Sequence, residues 1–407
     1  MPHAVLRDRR EDAATEVTNT ELFFDLVYVF AITQLSHQLL VHLTVRGAVQ
    51  TLVLFLAVWW AWNYTAWATN WIDPDHPAVR GLMVVLMLIS LVMSAAIPQA
   101  FGSRAAGFAG AYVAIQVVRS AFMVVAFRGQ RMGRNYAQLL AWSGIAAVAW
   151  IAGVFVHGDA RLAVWIVALA LDYGAPLHGF ALPRAGRTPM RDWTLAGAHL
   201  AERNRLVLLI ALGESILADG RTFSDLRPDA AAVAAFVVGF AVTVSLWWLY
   251  FASRAGQAAE AVTRADDPAR MARGAFAYAH AIMVAGVIVV AVAVDLTIAH
   301  PGGTTPPAAV AVLLGGPAIY LAGDALLKYS LMRKVPWPGL AGIAVLALLS
   351  LTAGTAGPLA LSIAAALVVA ALAVASNALP APQQTTRPES GQLPRWPGPV
   401  ICYGNVR

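Results

Sequence analysis

Charge is scarce in this chain and cysteine nearly absent. Only 12% of its 407 residues are Asp, Glu, Lys or Arg, against roughly 25% in soluble domains. Of the 28 basic residues, Lys328 and Lys334 alone are lysine, and the lone cysteine is Cys402. One cysteine excludes an internal disulfide and a CxxC metal site. No HExxH, GxSxG or GxxxxGK[ST] occurs, so no catalytic spacing is present, and no cofactor or metal is expected. Gly213-Glu214-Ser215 lacks the strand–turn–helix context of a nucleophile elbow. No cleavable leader is evident. The first 20 residues are polar and mixed in charge, and the apolar run after them is expected to stay as a signal-anchor helix. A net charge of +6 would suit nucleic acid only if the basic residues formed one patch. They lie dispersed between apolar runs, so no nucleic-acid partner is expected.

What the chain has instead is hydrophobicity: 59% of residues are hydrophobic, with a mean hydropathy of +0.66. Runs of spanning length recur from end to end, and a bilayer accepts them only as helices whose backbone groups are satisfied internally. The expected fold is an all-α, polytopic helical integral membrane protein whose partner is the lipid bilayer. Twelve transmembrane helices are predicted at 21–41, 48–69, 79–99, 106–127, 137–157, 162–180, 198–218, 229–252, 272–298, 308–328, 338–354 and 358–378. With a cytoplasmic N-terminus, 20 basic residues fall on the cytoplasmic side, five on the other side and three inside helices. That agrees with the positive-inside rule and puts both termini in the cytoplasm. Segment 1–20 reads as a cytoplasmic N-terminal segment and 21–378 as the transmembrane domain. The basic loop 181–197 divides that domain six and six, which permits two parallel halves, 21–180 and 198–378. The proline-rich stretch 379–407 reads as a disordered cytoplasmic tail.

Ionisable side chains inside spans are costly, roughly 2.5–3.5 kcal/mol each at mid-bilayer, and therefore face the bundle interior in pairs. Five are predicted to form a polar centre serving transport: Asp25, Arg119, Asp172, Arg203 and Glu214. In helix 1, Glu21, Asp25 and Ser36 share a face, with Tyr28 and Thr33 beside it, Gln34 opposite and His37 near the outer end. Thr18-Asn-Thr-Glu21 also reads as a capping box. Asp25 lies a turn deeper and cannot cap. In helix 7, Arg203 and Glu214 share a face but stand ~16 Å apart along the axis. Glu202 and Arg205 are an i,i+3 pair near the cytoplasmic end. Glu214 lies deep, beside Ser215 and beside Gly213, which would let another helix approach. Arg119 needs a carboxylate partner, with Asp25, Asp172 and Glu214 all candidates. Asp172 precedes Gly174 and Pro176, which can break its helix. Asp324 and Lys328 are i,i+4 near the cytoplasmic boundary, and Asp295 is expected to face water. Around these, Glu21, Tyr28, Gln34, His37, Glu202, Ser215 and Asp324 form a second tier of candidates. Trp67 and Trp71 fit an interfacial belt, whereas Trp59 and Trp62 are too deep for one. Asp73-Pro-Asp75 reads as a helix stop.

These residues carry a resemblance. Glu21-Leu-Phe-Phe-Asp25-Leu-Val-Tyr-Val-Phe-Ala-Ile-Thr-Gln-Leu-Ser-His37, the stretch from Trp59 to Asp75, Gln116-Val-Val-Arg119, Leu171-Asp172-Tyr173, and Ala201-Glu202-Arg203 with Leu212-Gly-Glu214-Ser215 resemble the bacterial low-temperature-requirement protein A family over nearly all of 20–378. The chain departs from the family pattern at Asn204 and Arg205. The resemblance implies a multi-spanning protein of the bacterial inner membrane linked by name to growth in the cold, and supplies no molecular activity. Over eleven residues, Phe23 to Thr33 also look like the first-helix signature of a cation-channel family. Transport or conduction of a small solute or ion is the leading expectation. The alternatives are a membrane-embedded enzyme acting on lipid or an isoprenoid-linked substrate, and a structural or sensory membrane protein. A cavity reaching Asp25 and Glu214 would favour the first, a lateral cleft beside the aspartates the second, and a sealed bundle of paired charges the third.

Overall fold

The computed structural model describes residues 5–7, 17–183, 186–188, 193, 196–225, 229–251 and 268–378. The tail 379–407, most of segment 1–20 and about half of the basic loop lie outside them.

Each predicted segment is occupied by one helical rod: α1 Asn19–Val41, α2 Val45–Thr69, α3 Pro77–Ala96, α4 Ala105–Ala126, α5 Arg131–Ala152, α6 Gly158–Gly174, α7 Gly197–Ser224, α8 Ala230–Phe251, α9 Ala269–Ala299, α10 Pro307–Met332, α11 Trp337–Thr352 and α12 Pro358–Ala378. Eight of these are long and apolar enough to cross a membrane. The twelve-span expectation differs from that count for two physical reasons. α6 and α11 are short, at 17 and 16 residues, while α5 and α7 are diluted by polar residues, such as Asn135, Gln138 and Ser143 in one and the charged Glu202, Arg203 and Asp219 in the other. The chain is a multi-pass helical membrane protein.

The helix starts follow local chemistry. Thr18 and Glu21 close the reciprocal capping box on α1. Thr44 accepts from the Gly47 amide at the start of α2, and His76 from Ala78 at α3, with Pro77 in the first turn. α6 stops at Gly174, two residues before Pro176. Polarity runs opposite to that of a soluble bundle. Val84, Leu88, Leu91, Val125, Leu367 and Val374 are exposed, whereas Glu21, Asp25, Arg119, Asp172, Arg203 and Glu214 are buried.

Contacts segregate along the chain. α3 packs on α1 and α4, α5 on α4 and α6, and α2 on α4 and α6. On the other side, α9 packs on α7, α8 and α10, and α12 on α8 and α10. α1 and α2 bridge the two groups through contacts with α7 and α9. The tightest approach is between α9 and α10. A Cβ on Gly286 would stand 2.5 Å from the Tyr320 amide nitrogen, and one on Gly323 2.7 Å from that of Met283. Neither helix could come so close with a side chain there.

Within α9, Arg273–Ala279 is a π-helical stretch. Such widenings recur at functional sites. Here the Ala277 carbonyl accepts the Trp59 indole N–H at 2.7 Å.

Candidate functional site

Three polar networks lie inside the bundle. The first joins α1 to α7. Arg203 Nη2 and Nε donate to the two carboxylate oxygens of Asp25 at 2.6 and 3.1 Å, and Nη1 donates to Glu21 Oε1 and to Thr69 Oγ1, both at 3.0 Å. The fork geometry is the strong bidentate form of this pair. Trp62 Nε1 donates to Asp25 Oδ1 at 2.7 Å, and its ring lies 5.9 Å from the guanidinium carbon. Glu21 serves twice. Its Oε2 receives the Thr18 amide at 3.0 Å, as a capping glutamate should, and also Arg7 Nη2 at 3.0 Å. Arg7 is carried there by residues 5–7, which lie against the end of α2. The Arg7 amide donates to the Trp71 carbonyl at 3.0 Å, and Asp73 N to that of Val5 at 2.9 Å.

His199 completes the cluster. Asn70 is oriented by the Ala196 amide, which donates to its Oδ1 at 2.9 Å, so its Nδ2 faces His199 Nδ1 at 3.2 Å. That assigns the neutral ring's proton to Nε2. Nε2 stands 3.0 Å from Glu21 Oε1, a close electrostatic contact rather than an aligned hydrogen bond.

The second network joins α4, α5 and α6. Arg119 Nη2 donates to Gln116 Oε1, Gln116 Nε2 to the Tyr112 hydroxyl at 2.9 Å, and Tyr112 to Asp172 Oδ2 at 2.8 Å. Trp150 Nε1 donates to the same oxygen at 3.0 Å. Every link donates toward the carboxylate, a direction in which successive bonds polarise one another. The expected direct carboxylate partner of Arg119 is thus replaced. Gln116, one turn back, takes one nitrogen, and the Tyr64 ring lies 5.1 Å from the guanidinium carbon. Arg119 Nε and Nη1 find no partner among the described residues, though the residue is only 1% exposed.

The third network lies further along α1 and α7. Glu214 accepts from Thr33 Oγ1 at 2.6 Å and from Arg221 Nη2 at 3.0 Å. Since Glu21 and Asp25 face His199 and Arg203 while Thr33 faces Glu214, α1 and α7 run parallel. The expected approach of a helix at Gly213 does not occur, because a Cβ there would meet open space. The close approach is nearly two turns on, where a Cβ on Gly239 would come 2.5 Å from Asp219 Oδ1.

The five primary candidates therefore divide rather than share contacts. Asp25 and Arg203 touch, Arg119 and Asp172 are linked through two side chains, and Glu214 stands apart. Of the others, Tyr28 bonds Ser90 at 3.2 Å, Glu202 pairs with Arg205 at 2.6 Å, and Asp324 with Lys328 at 2.7 Å. Ser215 is buried, Gln34 half-buried and His37 exposed. Asp295 is half-buried and accepts from Thr222 rather than facing water. Trp67 and Trp71 are buried at 8% and 4% exposure, not displayed to an interface. Arg7, His199, Thr69, Tyr112 and Trp150 escaped the sequence reading. Only Tyr112 had a signal, its i,i+4 spacing from Gln116.

Beside Arg119 a cleft opens, with an empty volume of about 460 Å³ including its mouth. Its walls come from α2, α4, α5, α9 and the segment after α6, so both groups of helices contribute. Trp60, Tyr64, Trp67, Trp193 and Arg273 line it with Arg119. Trp60 stacks on Tyr173 at 3.9 Å between centroids, and Trp193 packs on Tyr136 at 5.3 Å. Arg273 Nη1 donates to the Pro176 carbonyl at 2.9 Å.

The chain is 36% identical over 336 residues, 82% of each sequence, to the uncharacterized protein RA0937 of Rhizobium meliloti (strain 1021). No solved structure matches it. Residues 16–374, which hold the cleft and all of the three networks except Arg7, match the family described as bacterial low temperature requirement A protein (LtrA), and the chain belongs to that family.

Proposed function

We propose that this protein binds a small solute inside the bundle and carries it across the bacterial inner membrane. The observation that carries the reading is the cleft. It is bounded by helices of both groups, and its wall holds an arginine with unused donors that is otherwise sealed from solvent. Polar atoms buried without partners cost free energy, so a fold keeps them where something else satisfies them. Solute sites of secondary transporters lie at such junctions between halves.

The same reading gives the architecture. Twelve spans form two six-helix halves, 21–180 and 198–378, both termini are cytoplasmic, and 1–20 and 379–407 flank the membrane domain. The parallel course of α1 and α7 supports an odd number of crossings between them, the five of α2 to α6, and the basic residues of the connecting segments support the orientation. Arg119 contacts the solute, and Asp172 positions Arg119 through Tyr112 and Gln116. The Glu21–Asp25–Arg203 lock holds α1 against α7, and Glu214 marks the route's other end.

The test is flux into proteoliposomes across a panel of ions and metabolites, with wild type beside Arg119→Gln, Asp25→Asn and Glu214→Gln. Gradient-driven flux lost in Arg119→Gln is the expected result. No flux of any panel member by the intact protein overturns transport. Flux unchanged by all three substitutions overturns the assignment of these residues.

A further inference from the structure

We infer that the cleft beside Arg119 is a site for a small organic anion, a single carboxylate or phosphate on a flat apolar body. The inference rests on the solute-binding reading above and names its substrate class.

The sign of the ligand follows from the wall. Two guanidinium groups, Arg119 and Arg273, face the cleft, and no Asp or Glu lines it. An aromatic box alone could hold a quaternary ammonium by the ring quadrupole, but two arginines with no carboxylate repel any cation. The unpartnered atoms agree. The indole N–H groups of Trp60, Trp67 and Trp193 and Arg119 Nε and Nη1 are buried and have no acceptor among the described residues. These are donors only. Against them stand one unpartnered carbonyl oxygen, Asn63 Oδ1, and the Tyr64 hydroxyl, which can donate or accept. A ligand that satisfies this set brings acceptors, and one with a full negative charge gains most from the sealed guanidinium.

The shape of the ligand follows from the rings. Trp60, Tyr64 and Trp67 come from one side of α2 at i,i+4 and i,i+3 spacing, and Trp193 closes the wall from the segment before α7, so the lining is largely aromatic. The enclosed space is small, which limits the body to a single ring and excludes a nucleotide or a long acyl chain. The π-helical stretch supplies Arg273 and Ala277, so the α9 wall departs from α-helical spacing where the cleft needs width.

Binding is read by calorimetry and thermal shift on the purified full-length protein in phosphatidylcholine nanodiscs. The probes are benzoate and phenyl phosphate, with benzamide and benzylamine as neutral and cationic counterparts of the same size. One or both anions should bind at least about tenfold tighter than either counterpart, and Arg119→Gln should abolish that preference. Trp67→Phe keeps the ring and removes one donor. Its expected effect is a few-fold loss for the anion alone, which keeps the test sound should Arg119→Gln fail to fold. Doping phosphatidate into the nanodiscs separates two sources of the same chemistry. Competition with the bound probe assigns a lipid headgroup, and its absence a soluble anion. Equal or tighter binding of benzamide or benzylamine, no binding of any probe, or anion binding indifferent to Arg119→Gln and Trp67→Phe overturns the inference. Anion binding without flux in proteoliposomes would leave this site standing and remove transport instead.

Discussion

Arg203 and Arg119 are both sealed in the interior, at 0% and 1% exposure, yet their surroundings have opposite character. Arg203 donates from all three guanidinium nitrogens to Asp25, Glu21 and Thr69. Arg119 donates from one, to a neutral amide, and faces a cleft with the other two. A buried arginine enclosed by carboxylates is a fastener, since its charge is answered within the fold. A buried arginine answered only through an amide and a phenol is held ready for something that arrives. The helix between them, α2, serves both, with Trp62 bonded to Asp25 and Trp60 and Tyr64 turned to the cleft.

The sharpest way to break the comparison is to remove the fastener. Arg203→Gln leaves Asp25 and Glu21 buried with much of their compensation gone, and breaking a buried pair from one side costs about 3–5 kcal/mol. Thermal unfolding in nanodiscs should show a large loss of stability or no folded protein. Asp25→Asn should be less severe, because the amide still accepts one bond, and the double variant should show a coupling of about 0.5–3 kcal/mol. Additive effects would mean the two side chains do not act as a unit.

Much of this division was legible in the sequence, and the illegible part has a physical reason. Apolar runs of span length fixed where the rods lie, because periodicity and length are local properties. Thr18 and Glu21 declared the capping box through their spacing, as Glu202 and Arg205 did their pair. Asp25 declared itself buried by its depth in an apolar face. What no local pattern holds is the partner across the bundle. Arg7 reaches Glu21 only because residues 5–7 lie along the end of α2, and Asp25 meets Arg203 across 178 positions of chain. The direct carboxylate expected for Arg119 was an argument from charge alone. Its failure is informative, since the shortfall is where the cleft lies. Trp67 and Trp71 were misread because an aromatic at a helix end looks the same in sequence whether lipid or protein covers it.

A control away from both regions sharpens the contrast. Gly286→Val forces a branched side chain against the Tyr320 backbone, 2.5 Å from where its Cβ would stand, and overpacking of this kind costs about 1–3 kcal/mol. Stability should fall while the affinity of whatever protein folds for the anion stays within about twofold, a change of roughly 0.4 kcal/mol. A parallel loss of affinity would show that α9 sets the cleft through its packing on α10.

Arg119→Met should behave unlike Arg203→Gln in stability. Replacing an incompletely answered buried charge by an apolar side chain of similar length is neutral or stabilising, so the midpoint of unfolding should stay within about 1 kcal/mol of wild type or rise. The stabilisation that an anion confers should vanish at the same time. A collapse like that of Arg203→Gln would make Arg119 a second fastener and end the distinction.

The smallest effect belongs to Glu202, one residue from Arg203 on the same helix. Its pair with Arg205 is 2.6 Å long, but both side chains are well exposed, at 32% and 44%, so water and salt screen them and ordering two long side chains offsets part of the attraction. Glu202→Gln should cost no more than about 0.5 kcal/mol, and that small loss should shrink further as ionic strength rises. The neighbouring positions 202 and 203 then differ several-fold in energetic weight though both are charged and both are paired. The difference is set by enclosure, since a contact of the same 2.6 Å length is weaker once water can reach it. A Glu202→Gln effect as large as that of Asp25→Asn, measured in the same nanodiscs, would mean that α7 carries its charge as one continuous surface and that the lock extends a turn beyond Glu21, Asp25 and Arg203.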